Sequence, residues 1–162
     1  MTQISDVDII ALLGLEEKLS PGEIDEMLDT LSKEIWFRVL NESLPLYLDK
    51  DELEKLTKAT IDKGLDETLS YIKENLPRIN IQFMFLETTQ VVKKEFVVEY
   101  IKDWRNGFQN KKYSEEFKEN ARLIFVNCLN QTLKLVEKNQ WEKDKIEKLI
   151  KEAIRQEYVM KK

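Results

Sequence analysis

The stretch Ile79-Asn80-Ile81-Gln82-Phe83-Met84-Phe85-Leu86 decides the fold class, because it reads in two ways. Ile79, Ile81, Phe83 and Phe85 fall on alternate positions, the mark of a half-buried strand. A strand needs a partner for its backbone N–H and C=O groups, and no other segment of this chain offers itself as one. Immediately downstream, Val92, Phe96, Tyr100 and Trp104 step by four, with Val91, Val97 and Ile101 alongside. One helix from about residue 79 to 106 accounts for both segments. Its first half is apolar nearly all round, which suits the centre of a bundle or an oligomer interface.

Upstream, the punctuation is helical. Ser5-Asp6-Val7-Asp8 offers a cap for a short helix ending near Gly14. Ser20-Pro21-Gly22-Glu23 is a stronger start: Ser20 can accept from the third helical amide, Glu23 can reach back, and Pro21 takes the first position. Ile24, Met27, Leu28, Leu31, Ile35, Val39 and Leu40 then form one stripe over about six turns. Pro45 is expected to stop that helix by pushing Leu44 out of the α region. Asp49-Lys50-Asp51-Glu52 opens the next helix, with Leu53, Leu56 and Ile61 as its apolar positions. Gly64 marks a break, and Leu65, Leu69, Ile72 and Leu76 continue to Pro77. Asn41-Glu42-Ser43-Leu44-Pro45 faintly echoes Lys73-Glu74-Asn75-Leu76-Pro77; the plainer reading is two helices that both stop at proline.

Downstream, the segment from Asn106-Gly107 to Lys111-Lys112 reads as the linker between an N-terminal bundle (1–106) and a C-terminal helical hairpin (113–160), the two possibly sharing one core. Ser114 is expected to cap a helix whose stripe is Phe117, Ala121, Ile124, Cys128 and Leu135, widened by Phe125, Leu129, Thr132 and Val136. Asn139-Gln140-Trp141-Glu142 resembles another start signal, followed by Ile146, Leu149, Ile150, Ala153 and Ile154. The expected fold is all-α, a bundle of five to seven helices with no sheet.

Composition agrees. The 162 residues are 42% hydrophobic and 35% charged, enough apolar matter for a core in a single small protein. One cysteine forbids an internal disulfide and suits a reducing compartment. The N-terminal residues lack the basic and apolar regions of a signal peptide, and no apolar run approaches the roughly 20 residues a membrane span requires. The expectation is a soluble, cytoplasmic protein without a membrane partner. Residues 1–30 hold eight acids and one base, a net of −7, whereas residues 111–162 hold thirteen bases and nine acids, a net of +4. The acidic end argues against nucleic acid, and in the basic end acids interleave with the bases.

Little catalytic chemistry is on offer. The chain has no histidine, which removes the commonest general base and zinc ligand and every Ser-His or Cys-His pair. No glycine-rich phosphate loop is present. Glu115-Glu116-Phe117-Lys118-Glu119 has the Glu-Glu-x-x-Glu spacing with which all-α nucleotide pyrophosphohydrolases hold magnesium, so Glu115, Glu116 and Glu119 form a candidate metal cluster. No later Glu-x-x-Asp completes it, and acids are favoured in a first helical turn anyway. Cys128 reads as core filler, since the nearest base on its side, Arg122, is six residues away. Trp36, Tyr47, Phe83, Phe85, Leu86 and Trp141 are candidate interface residues, as aromatics off the main stripes either widen a core or anchor a partner.

Residues 12 to about 101 resemble a bacterial domain-of-unknown-function family of small helical proteins from candidate-phylum bacteria. The resemblance lies in Leu13-Gly14-Leu15, in the stripe Ile24-x-x-Met27-Leu28-x-x-Leu31-x-x-x-Ile35, and in Tyr71-Ile72-Lys73-Glu74-Asn75-Leu76-Pro77. It implies a helix after the last proline, Pro77, in line with Val92-Phe96-Tyr100. The chain departs from the pattern at Ile81 to Leu86 and in residues 102–162. The resemblance implies no activity. These readings lead to a non-catalytic interaction or assembly protein without a cofactor, its partner another protein or a second copy in a homodimer. The alternatives are a magnesium-dependent nucleotide hydrolase and an acidic decoy for a nucleic-acid-binding protein.

Overall fold

The computed structural model describes residues 7–162, the Leu65 side chain excepted. Among them are seven α-helices and no strand: α1 (Ile9–Leu12), α2 (Pro21–Arg38), α3 (Lys50–Lys63), α4 (Leu65–Asn75), α5 (Ile81–Gln109), α6 (Glu116–Glu137) and α7 (Lys143–Lys161). The segment that reads both ways is helical, and Asn80 starts it by accepting the Phe83 amide at 3.1 Å.

The chain divides into two compact units, residues 1–28 with 90–162, and residues 29–89. Both divisions fall inside helices, α2 and α5. The segment 106–112, read from sequence as a linker, lies within the larger unit. That polar segment is the turn between α5 and α6 of one unit: Phe108 meets Phe125 edge-on at 5.1 Å, and Arg122 donates to the Gln109 carbonyl at 2.7 Å. Moreover, α5 runs through Asn106 and Gly107 before it ends.

In the larger unit, α5 and α6 run antiparallel. Lys94 donates to the Glu137 carbonyl at 3.3 Å, and at the far end Trp104 packs edge-on to Phe125 at 5.2 Å. α6 packs against α7 along its length, and α1 also reaches α7. Asp8 caps α1 through the Ile10 and Ala11 amides; Ser5 and Asp6 lie outside the described residues. The buried face of α6 is Ala121, Phe125, Cys128, Leu129, Thr132, Leu133, Leu135 and Val136. It holds most of the expected stripe and adds Leu133, but Phe117 and Ile124 are exposed. Ser114 does not cap α6: Glu115 holds that position without a side-chain bond.

The smaller unit closes on Val39, Leu44, Leu56, Ile72, Leu76, Ile81 and Met84, with Ile35, Leu48, Leu69 and Phe85 packed around them. α3 opens with a complete capping box: Asp49 accepts the Glu52 amide at 2.8 Å, and Glu52 accepts the Asp49 amide at 3.1 Å. Gly64 joins α3 to α4 at φ +84°, where a side chain would be strained. Below it the fully buried Thr68 hydroxyl donates to the Gly64 carbonyl at 2.7 Å and lies 3.2 Å from the Thr60 hydroxyl.

The two Leu-Pro steps part company. Leu76 leaves the helical region at φ −127°, ψ 57°, and α4 stops as expected. Leu44 stays right-handed helical at φ −62°, ψ −42°. After Arg38 the backbone instead widens into a π turn (Val39–Ser43) and tightens into a 3-10 turn (Leu44–Tyr47) that accommodates Pro45. The echo between the two segments is therefore not a structural repeat. No residue of α2 is fully buried, so its stripe is half covered, and Ile61 on α3 is exposed rather than core.

Candidate functional site

The candidate metal cluster does not assemble. Glu119 is held from both oxygens by Arg122 and accepts the Tyr113 amide at 3.3 Å, and the Arg122 bond holds its carboxyl below the usual range. Glu115 pairs with Lys118 at 3.0 Å, and Glu116 is exposed. Among the described residues no three acidic or thiol groups converge as a metal would require. Cys128 is buried, and burial, with the Glu152 charge behind it, pushes its thiol up. A protonated thiol in an apolar face is a poor nucleophile.

The interface candidates separate by burial. Trp141 is 4% exposed and belongs to the core of its unit rather than to an open surface. It follows the turn that ends α6, and that turn carries the indole inward. Trp36 and Phe85 meet edge-on at 4.5 Å and are half-buried, so each is largely occupied by the other. Tyr47, Phe83 and Leu86 remain open to solvent. Three further residues of the same unit are also open, Phe37 beside Trp36, Leu46 in the apolar loop after Pro45, and Ile61, of which Leu46 and Ile61 are the most exposed at 81% and 78%. Ile61 falls on the apolar positions of α3 by sequence, yet it lies three residues before Gly64 on the outer side of the helix. There it flanks a shallow groove of about 430 Å³ with Leu53, Thr57 and Lys58.

Two constellations lie in the larger unit. The first is a polar knot around Glu157. Its carboxylate accepts the Trp104 indole N–H and lies 3.8 Å from the Lys18 ammonium and 3.5 Å from that of Lys161. Lys18 also sits 3.4 Å above the Trp104 ring. Burial lowers the Lys18 pKa; burial, with Glu157 nearby, pushes Tyr100 up to about 12. Because the groups satisfy one another, this knot is a structural tie joining the chain before α2 to α5 and α7.

The second is a cleft of about 260 Å³. Ile10, Ala11, Leu12, Ile150 and Ile154 give it an apolar lining, with Glu16, Glu17, Glu147 and Lys151 around them. Gly14 makes it possible. At φ +62° it turns the chain directly onto α7, and a Cβ there would stand 2.8 Å from Ile154 Cδ1. The positive φ favours glycine there, and the approach places Glu16 and Glu17 beside α7.

Comparison with family models, characterised proteins and solved structures finds no match for the chain. Its function therefore has to be argued from its own surfaces.

Proposed function

We propose that this protein is a non-catalytic binding or assembly protein, and that the unit formed by residues 29–89 makes the contact. The observation that carries the reading is the exposure of Phe37, Leu46, Tyr47, Ile61, Phe83 and Leu86. The smaller unit leaves as many large apolar side chains open as the larger one, Leu28, Val91, Phe117, Leu123, Ile124 and Tyr158. Scattered exposed apolar residues are ordinary; this density in so short a segment favours a surface that something else covers. The partner is another protein or a second copy of the chain.

The unassembled Glu115, Glu116 and Glu119 group and the buried Cys128 lend no support to the hydrolase alternative. Hydroxyl-radical footprinting tests the proposal. The dilute purified chain is compared with the same chain at high concentration and in extract of its own cells. Protection of Leu46, Tyr47 and Phe83 in either crowded state is the expected result. Equal labelling of all three in every state contradicts it.

A further inference from the structure

We infer that the outer face of α3 pairs with the same face of a second copy of the chain, the two helices running antiparallel about a twofold axis near Thr57. Two rows of side chains run along that face at four-residue steps. The first is Leu53, Thr57 and Ile61; Leu53 is half-buried, and Thr57 and Ile61 are exposed. The second is Lys50, Glu54, Lys58 and Asp62, all of them exposed. Residues four apart lie one above the other on a helix, so each row is a continuous ridge. Leu56, on the inner side of α3, is buried in the core of the unit, which leaves both ridges facing outward. The groove of about 430 Å³ runs along them, lined by Leu53, Glu54, Thr57, Lys58, Ile61 and Asp62. A groove between ridges is the shape that takes a ridge of another helix.

What covers this face follows from the order of its charges. From Lys50 to Asp62 the charged ridge reads positive, negative, positive, negative. In the reverse direction it reads the opposite at every step. An antiparallel copy therefore sets Lys50 against Asp62 and Glu54 against Lys58, each twice over. The same register sets Leu53 against Ile61, also twice, and Thr57 against itself at the centre. The charged pairs centre on residue 56 and the apolar pairs on residue 57, an offset of about 1.5 Å along the axis, which long side chains absorb. A parallel copy in register opposes like charges and is disfavoured. Lys33, Arg38, Lys143 and Lys161 each find an acid four residues away in their own helices. Among the described residues Lys50, Glu54, Lys58 and Asp62 form no such pair, although each stands four residues from an opposite charge. α3 has 14 residues and so is about 21 Å long, short beside a permanent interface, and the pairing gives a reversible dimer. This rests on the reading of residues 29–89 as the contact surface, and it names the occupant of that surface.

Analytical ultracentrifugation of the full-length chain over a concentration series tests the inference, with two variants that each reverse half of the charged ridge. Glu54→Lys with Asp62→Lys makes all four positions positive; Lys50→Glu with Lys58→Glu makes all four negative. The wild-type chain is expected to dimerise reversibly, and more weakly as salt is raised. Each variant alone is expected to lose about tenfold or more in self-association, the combined scale of four exposed ion pairs. An equimolar mixture of the two is expected to recover the association as a heterodimer, which also shows that both are folded. Should either double variant lose helicity, Glu54→Lys mixed with Lys58→Glu repeats the test with one exchange on each chain. Self-association of the variants equal to that of the wild type overturns the inference, as does a mixture that stays monomeric. A wild-type chain that is monomeric at every concentration overturns it too. If footprinting in cell extract then still protects Leu46, Tyr47 and Phe83, the contact surface stands with a different protein as its occupant.

Discussion

Glu52 shows how far a single residue of this fold can be followed. Its carboxylate accepts from the Arg78 guanidinium at 2.5 Å and from the Asp49 amide at 3.1 Å, while Arg78 also donates to the Tyr47 carbonyl at 3.2 Å. The Arg78 bond first, and the Asp49 amide second, hold the Glu52 carboxyl at about 2 against an ordinary 4.5. A carboxyl depressed in the folded state stabilises the fold above its ordinary value, and the benefit disappears as pH falls through the depressed one. Glu52→Gln keeps an acceptor for the cap but cannot titrate. Urea unfolding is expected to show the wild-type advantage over this variant shrinking from pH 4.5 to about 2. An advantage that stays constant across that interval contradicts the pairing. The ion pair is solvent-exposed, so the effect is small.

The end of α6 carries the argument at the level of elements. Asn139 adopts φ +56°; its amide bonds to the Val136 carbonyl at 3.0 Å and the next amide, of Gln140, to Leu135 at 2.8 Å. This is the paired closure that satisfies the last carbonyls of a helix, and it needs a left-handed residue at its centre. Asn139→Gly is expected to leave thermal stability nearly unchanged. Asn139→Val loses roughly 1–2 kcal/mol, the cost of a branched residue in the left-handed region. Equal melting temperatures for the two variants contradict that reading. Asn139 read from sequence as the start of α7, and the error is instructive: a residue that can cap a helix start can also end one, and only the hydrogen bonds distinguish the two. Legibility elsewhere follows the same physics. Capping signals at Asp8, Ser20 and Asp49, the break at Gly64 and the helical fate of Ile79 to Leu86 are set by neighbours in sequence, and they were readable. The π turn at Val39, the burial of Trp141 and the exposure of Ile61 depend on what lies across space, and they were not. The candidate site divides likewise. Tyr47, Phe83 and Leu86 stood out as aromatic or apolar residues off a stripe, whereas the cleft beside α7 joins residues more than a hundred positions apart, with Gly14 as its only local hint.

At the scale of the whole molecule, two compact units occur in a chain whose polar segment at 106–112 reads from sequence as the linker. Long helices cross the divisions between these units, since α2 and α5 each contribute residues to both without interruption. No helix among the described residues is long and apolar enough to cross a membrane, so the open apolar side chains of residues 29–89 are not explained by a bilayer span. The account makes them a contact surface, and site-specific photo-crosslinking in living cells tests that most directly. A photoreactive phenylalanine analogue is placed at Leu46 and at Phe83, and at the exposed Lys148 on α7 as a control. The account predicts one discrete covalent adduct, to a second copy or to another chain, from the first two positions and not from Lys148. Uncoupled monomer at all three positions would contradict it.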